Sequence, residues 1–189
     1  MEQPTIGFAM CGSFCTYRKT LDALAELVQH YPVIPILSGV SAVTDTRFGK
    51  AADFRVEIEQ LCGRPVIDTI AAAEPIGPKK LLDALVIAPC TGNTLAKLAN
   101  GVADSPVTLA CKAHLRNERP VIVAVSTNDG LGANARNIGR LLARKHFYFV
   151  PFGQDDPVGK PASLVAHMER IPETVAAALA GKQLQPILC

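Results

Sequence analysis

At 189 residues, 49% of them hydrophobic, the chain suits one globular domain that buries roughly 70% of the surface its unfolded form exposes, so its core needs no covalent staples. Its 19 Lys and Arg against 17 Asp and Glu leave a net charge of only +2, with the signs interleaved and no Trp, which offers nucleic acid neither a basic face nor a stacking platform. The six cysteines, Cys11, Cys15, Cys62, Cys90, Cys111 and Cys189, form no CxxC pair and have no histidine at metal-ligand spacing, the amino-terminal Met-Glu-Gln-Pro-Thr-Ile lacks a secretory signal, and no apolar run nears the ~18 residues that span a bilayer, so a cytoplasmic chain with reduced thiols, no structural metal and no membrane contact is expected.

Residues 5–10 form an apolar run that reads as a strand and leads into Cys11-Gly12-Ser13-Phe14-Cys15; Leu21, Leu24, Leu27 and Val28 then share one helical face as far as His30. That helix aims its amino end at the Gly12-Ser13 turn. Free N–H groups, the helix dipole and a serine hydroxyl could hold a phosphate there, although an ordinary strand-to-helix turn would use the same residues. Residues 33–37 are a second strand, with Pro35 acceptable only where its missing donor falls at an edge or irregularity. Ser38-Gly39-Val40-Ser41-Ala42 leaves it, Phe48, Ala51, Phe54, Ile58 and Leu61 mark a helix stopped by Gly63 and Pro65, Val66-Ile67 is a short third strand, and 71–78 is expected to be loop.

Residues 85–88, Leu-Val-Ile-Ala, suit a strand buried on both faces of a parallel sheet, and Pro89 is expected to end it. The small polar turn Cys90-Thr91-Gly92-Asn93 follows, then a helix through Leu95, Leu98 and Ala99 that Gly101 closes. Pro106 opens another helix through Leu109, Ala113 and Arg116, broken by Pro120. Residues 121–125 are an unbroken apolar strand, 126–130 a turn, and Leu131, Ala135, Ile138 and Leu142 keep helical spacing. A last strand is predicted over 147–150 and a proline- and glycine-rich loop over 151–161; from Ser163 onward the pattern is helical, kinked by Pro172 and stopped by Gly181. Alternation of strands and helices along the whole length predicts an α/β fold, a parallel sheet covered by helices on both sides. Its polar turns fall at the carboxyl edge, where ligands of open α/β sheets bind, so a small-molecule site is expected there.

Gly130-Leu131-Gly132-Ala133-Asn134-Ala135 fits the loose G-x-G-x-x-A dinucleotide fingerprint, but four polar residues separate it from its strand and the nearest ribose-binding acid, Asp155, lies beyond a proline. No P-loop is present. Cys11, Ser13 and Cys15 crowd one turn without a nearby histidine, while His30, His114, His146 and His167 fall at or near helix ends, where histidines are commonly solvated or capping groups. Asp155-Asp156 reads as a solvated loop or as an acid–base pair. Arg136 and Arg140 share one helical face and could grip a dicarboxylate or simply face solvent.

The Gly12-Ser13 turn, Ser38-x-x-Ser41-Ala42, and the run Ala88-Pro89-Cys90-Thr91-Gly92-Asn93-Thr94-Leu95-Ala96-Lys97 with Ala99-Asn100-Gly101 resemble the flavoprotein family of homo-oligomeric FMN-binding cysteine decarboxylases, which also holds phosphopantothenoylcysteine decarboxylases and flavin prenyltransferases. Asp104-Ser105-Pro106-Val107, Leu115-Arg116-Asn117-x-Arg119-Pro120, Ser126-Thr127-Asn128-Asp129, Tyr148-Phe149-Val150-Pro151-Phe152-Gly153-Gln154-Asp155 and Gly181-Lys182-Gln183-Leu184-Gln185-Pro186 resemble the branch of that family formed by the B subunits of dipicolinate synthases. The decarboxylases carry a histidine at a place that falls near Pro75, yet no histidine lies between His30 and His114, and their Pro-x-Met-Asn is replaced by Val125-Ser126-Thr127-Asn128. Both departures weigh against decarboxylation.

The resemblance implies a single three-layer, flavodoxin-like (Rossmann-like) domain over 1–189. It places Gly12, Ser13 and Phe14 at the phosphate and ribityl end of FMN with a hydroxyl from Ser38, Thr91, Gly92, Asn93 and Thr94 along the ring system or ribityl chain, and Asn128 toward substrate. Where the family has glycine-serine-glycine, this chain has the bulkier Gly12-Ser13-Phe14-Cys15. Arg136, Arg140 and Arg47 are the candidate carboxylate partners. The implied activity is that of an oxidoreductase component forming dipicolinic acid from a dihydro- or tetrahydrodipicolinate precursor in the mother cell of a sporulating bacterium. Its implied partners are an A subunit carrying NAD(P) and further copies of itself, as a trimer or a multiple. An FMN-dependent decarboxylase or prenyltransferase acting alone, and a non-catalytic scaffold for the A subunit, are the rival readings.

Overall fold

The computed structural model describes residues 3–189; the first two residues of the amino-terminal segment considered above lie outside the described residues. In chain order the elements are β1 (Ile6–Met10), α1 (Tyr17–Leu27), β2 (Val33–Leu37), α2 (Gly39–Val43), α3 (Ala51–Cys62), α4 (Ile70–Ala73), β3 (Ala84–Cys90), α5 (Gly92–Asn100), α6 (Pro106–Leu115), β4 (Val121–Thr127), α7 (Ala135–Leu142), β5 (Phe147–Phe149), β6 (Phe152–Gly153), β7 (Leu164–Ala166) and α8 (Ile171–Leu179). Strands β2, β1, β3, β4 and β5 run parallel in that spatial order. This is the flavodoxin-like order, in which the chain reverses its winding between β1 and β3.

All seven residues of β3 and all five of β1 are buried, which explains why both read as continuous apolar runs rather than alternating ones. Helices α1 and α8 pack on each other, while α5 packs against α6 and α7, and α4 against α6. Leu21, Leu24 and Leu27 turn the apolar face of α1 into the core, Ile171, Val175 and Ala178 do so for α8, and Leu95 and Leu98 for α5. Pro35 is accommodated because β2 is the terminal strand of the sheet order.

Several expectations are corrected. Residues 66–67 form no strand, only a single parallel bridge from Ile36 to Ile67, because the four residues between Pro65 and α4 meet the edge strand at one point and Thr69 already caps the helix. Residues 70–76 are helical turns rather than loop, nucleated by Thr69, whose hydroxyl accepts from Ala72 N at 3.1 Å. Pro89 does not end β3. The strand continues to Cys90 through a register shift against β4, and such an irregularity can hold a residue that has no N–H to donate. Finally, 147–149 is not the last strand: β7 pairs antiparallel with β4 and with β6, and Pro172 opens α8 in its first turn instead of kinking a longer helix. Leu131 and Leu142 are exposed on α7 and its preceding turn, and the buried face there is Asn137, Ile138 and Leu141.

One edge of β4 is therefore shared. Val121 to Val123 pair with β5, whereas Ser126 and Thr127 pair with β7. The β6–β7 ribbon thus folds the segment between Gln154 and Ser163 back over the carboxyl edge of the sheet.

Candidate functional site

Each of β1, β2 and β3 ends in a turn that opens a helix, and β4 ends in the turn before α7, so four sets of polar side chains meet at the carboxyl edge. Ser38 caps α2 by accepting from Ser41 N at 3.2 Å, and Thr91 caps α5 by accepting from Thr94 N at 3.2 Å. Between the first three turns lies a hollow of about 390 Å³ lined by Cys11, Gly12, Ser38, Gly39, Val40, Thr91, Asn93, Thr94, Lys97 and Ser105. Beside it, toward β4, a second hollow of about 660 Å³ is lined by Gly12, Ser13, Phe14, Cys15, Arg47, Thr91, Gly92, Asn93, residues 126–129, Asn134, Asp155, Lys160, Ser163 and Val165. The two share Gly12, Thr91 and Asn93, so they form one continuous cleft.

The hollows differ in charge. Among the described residues no carboxylate lines the smaller one; its polar groups are hydroxyls, the Asn93 amide and Lys97, which also pairs with Asp104 at 2.9 Å. The larger carries both signs: Arg47 and Lys160 as cations, Asp129 and Asp155 as anions. Lys160 pairs with Asp155 at 3.3 Å, and Arg47 stacks on Phe48 with 4.8 Å from its guanidinium carbon to the ring centre. Hydrogen bonding from Ser163 and then from Lys160 holds the Asp155 carboxyl below the usual carboxylate range, and bonds from Thr127 and then Asn134 do the same for Asp129. By contrast, burial pushes the Cys11 thiol beneath the cleft up to about 11, so it is no nucleophile at neutral pH.

Ser13, Asn93 and Asn128, three of the candidate site residues, all line the larger hollow. Ser13 is fixed there by a 2.7 Å bond between its hydroxyl and that of Ser126, and Thr16 lies 3.3 Å from Ser126 in turn. Phe14 leans on Tyr17, with ring centres 5.0 Å apart, and forms a wall of the hollow without closing it. Gly12 keeps the floor between the hollows low, since a Cβ there would lie 3.2 Å from Val40 and 3.5 Å from the Phe14 ring. Gly92, Thr94 and Ser38 also reach the cleft.

Arg136 does not line it. Arg136 lies exposed on α7, and Arg140, on the same helix, donates to Asn100 Oδ1 at 2.9 Å; the cations that do reach the hollow are Arg47 and Lys160. Lys160, Ser163 and the roles of Asp129 and Asn134 are not evident from sequence. Asn134, which falls within the dinucleotide-like fingerprint, donates to both Asp129 oxygens at 2.9 and 2.8 Å, which makes the 130–135 turn a scaffold for that carboxylate.

The donor set of the smaller hollow fits the polar part of FMN: hydroxyls and a cation for a phosphate, a glycine floor, and no carboxylate to repel it. A flavodoxin-like sheet with such a cleft across its switch point marks a flavin- or nucleotide-binding class of α/β protein. The Flavoprotein family profile matches residues 1–178, and the chain belongs to that family. It is 50% identical over 184 residues to the dipicolinate synthase B subunit of Bacillus subtilis (strain 168), covering 97% of this chain and 92% of that one. Among solved structures, the dipicolinate synthase B subunit from Bacillus halodurans superposes with a TM-score of 0.90 at 49% identity, covering 98% of this chain and 96% of that one. The FMN-dependent cysteine decarboxylase SpaF shares the fold at a TM-score of 0.67, with 21% identity and 95% and 97% coverage.

Proposed function

We propose that this chain is the B subunit of a dipicolinate synthase, holding FMN in the smaller hollow and a reduced dicarboxylate ring in the larger. The observation that carries the reading is its near-half identity, over almost the full length, to two proteins of that name. Lack of a histidine in either hollow adds to the case against cysteine decarboxylation.

Ser38, Thr91, Asn93 and Thr94 would hold the cofactor, with Lys97 and the Ser38 hydroxyl at its phosphate, Gly12 beneath it, and Ser13, Phe14 and Gly92 at the border with the larger hollow. When bound, FMN supplies two-electron redox chemistry at this edge. Asn128, exposed in the turn after β4, would orient the substrate, and Arg47 and Lys160 would draw its carboxylates into the larger hollow. Val165 of the β6–β7 ribbon and Phe14 wall that hollow. An A subunit would handle NAD(P)H. Assembly into a homotrimer or a multiple of one belongs to the same reading.

The test is to reconstitute the purified chain with FMN, record its absorbance spectrum, then supply a dihydro- or tetrahydrodipicolinate precursor with and without an A subunit and NAD(P). Flavin absorbance and dipicolinate formation requiring both chains are expected. Asn93→Ala should weaken flavin retention, and Asn128→Ala should slow turnover with the flavin kept. Full product rate without this chain, or unchanged rates in both variants while the complex still forms, would reduce it to a scaffold; release of carbon dioxide from a cysteinyl peptide would replace the reading with decarboxylation.

A further inference from the structure

The larger hollow holds a fixed negative charge that neither the cofactor nor the substrate carboxylates account for. Asp129 Oδ1 accepts from Thr127 Oγ1 at 2.5 Å and from Asn134 Nδ2 at 2.9 Å, while Oδ2 accepts only from Asn134 Nδ2, at 2.8 Å. Asn134 is itself held, since its Oδ1 accepts from the buried Asn137 amide at 2.8 Å. Behind the carboxylate stands the first residue of α5. A Cβ on Gly92 would lie 2.9 Å from Asp129 Oδ1 and 2.6 Å from Thr127 Oγ1, so the positive end of that helix abuts the anion.

Two consequences follow. The amino end of α5 already faces an anion belonging to the protein, so ligand phosphate is directed away from Asp129, toward Ser38 and Lys97 in the smaller hollow. A carboxylate has about four acceptor positions, and the protein fills two on Oδ1 and one on Oδ2. Asp129 lines the hollow, which brings its carboxylate within reach of a ligand donor.

Resting on the proposed dipicolinate reading, we infer that Asp129 is the specificity-determining residue that accepts the ring N–H of a reduced 2,6-dicarboxylate and disfavours the aromatic product. Dipicolinate is pyridine-2,6-dicarboxylate, whose ring nitrogen offers a lone pair and no hydrogen at neutral pH. A saturated or partly reduced ring presents an N–H as an amine, enamine or protonated imine. Both rings carry the same two carboxylates, so Arg47 and Lys160 attract them alike, and the rings differ in their nitrogen and in their pucker. Facing the carboxylate, the N–H ring gains a charge-assisted hydrogen bond, and the aromatic ring sets lone pair against lone pair. The same contact that holds the precursor thereby speeds departure of the product.

Calorimetric titration of the full-length chain with three probes tests this: piperidine-2,6-dicarboxylate, pyridine-2,6-dicarboxylate, and oxane-2,6-dicarboxylate, whose ring oxygen removes the donor while keeping the puckered shape. The piperidine compound should bind about tenfold to a hundredfold more tightly than either of the others, the range expected for a hydrogen bond to a charged group. That preference should hold between pH 6 and pH 8, and Asp129→Asn should bring the three affinities together. Equal binding of all three probes to the unaltered chain, tighter binding of the pyridine, or a preference that survives in Asp129→Asn overturns the role of Asp129 while leaving dicarboxylate binding intact. Failure of all three to bind overturns the dicarboxylate reading and this inference with it. The oxane comparison needs no substitution, so the result stands even if the variant misfolds.

Discussion

His114 gives this fold a pH dependence that can be worked from the structure. Its side chain is fully buried near the end of α6, with Nε2 3.0 Å from the Pro120 carbonyl and Nδ1 without a partner. Donation from Nε2 to that carbonyl leaves Nδ1 neutral, and protonating it would place a charge in apolar surroundings. Burial therefore pushes its pKa down to about 4. In the unfolded chain the same group titrates near ~6.5, so between those values the unfolded state binds more protons and stability falls as pH falls. At about 1.4 kcal/mol per pH unit, with the curve rounded near its ends, the loss between pH 7 and pH 5 is about 2 kcal/mol. The depressed carboxyls of Asp104, Asp129 and Asp155 work at lower pH: their stabilisation is lost as pH falls through values below the ordinary carboxylate range. The assay is urea denaturation at pH 7 and pH 5 of the unaltered chain and of His114→Gln, which keeps a donor for the carbonyl but does not titrate. The variant should lose about 2 kcal/mol less between the two pH values. Parallel pH profiles for the two proteins would refute the argument that a neutral imidazole is locked beside Pro120.

Gly92→Ala should destabilise the fold by about 1–3 kcal/mol in urea, the usual cost of overpacking, because the added methyl meets Thr127, Asp129 and Asn134; wild-type stability would show that α5 can shift away from that turn. Ser105→Ala should cost about 1 kcal/mol in the same measurement, since Ser105 forms a reciprocal capping box with Thr108 at the start of α6. With a disulfide-exchange reagent, native protein should show two fast thiols, Cys15 and Cys189, a slower Cys62, and no reaction at Cys11, Cys90 or Cys111 until unfolding. Burial raises the thiols of the last three, Cys111 to about 12, and Cys15→Ser should remove one fast equivalent.

The parallel part of the fold was legible because each strand there is buried on both faces and each turn carries its own chemistry. Residues 33–37, 85–88 and 121–125 could be read from apolar runs, though β3 and β4 each run two residues further, to Cys90 and Thr127, where Pro89 and polar side chains hid the continuation; the starts of α5 and α6 could be read from Gly92 after the Thr91 turn and from Pro106. The ribbon was not. Leu164 to Ala166 carries no turn signature of its own and becomes a strand only because Ser126 and Thr127 offer it an open edge beyond the reach of β5. Local helical spacing lost to a tertiary pairing there. Segment 183–189 shows the same dependence: Gln183 brackets Phe149, with its Oε1 accepting from N at 2.8 Å and its Nε2 donating to O at 2.7 Å, and Phe152 N donates to Ile187 O at 3.0 Å.

The site divides along the same line. Gly12, Ser13, Ser38, Thr91 and Asn93 stand one or a few residues beyond a strand, so finding the strands found them. Asp155, Lys160 and Ser163 come to the cleft only through the antiparallel pairing of β7 with β4 and β6, a contact across some forty residues of chain that no local pattern announces. Asp129 was visible as a residue but not as an acceptor, because its orientation depends on Asn134, just before α7, and on Asn137 within that helix. The hollow assigned to the cofactor is thus built by local strand-to-helix turns, whereas most of the charge in the hollow assigned to the substrate is supplied by the later turn and the ribbon. Exchange of residues 154–163 within this scaffold would leave the first three turns and Asp129 intact and replace Asp155 and Lys160, two of the four charges that line the larger hollow, so the carboxylate end of the substrate site can change in this architecture without rebuilding the cofactor's cradle.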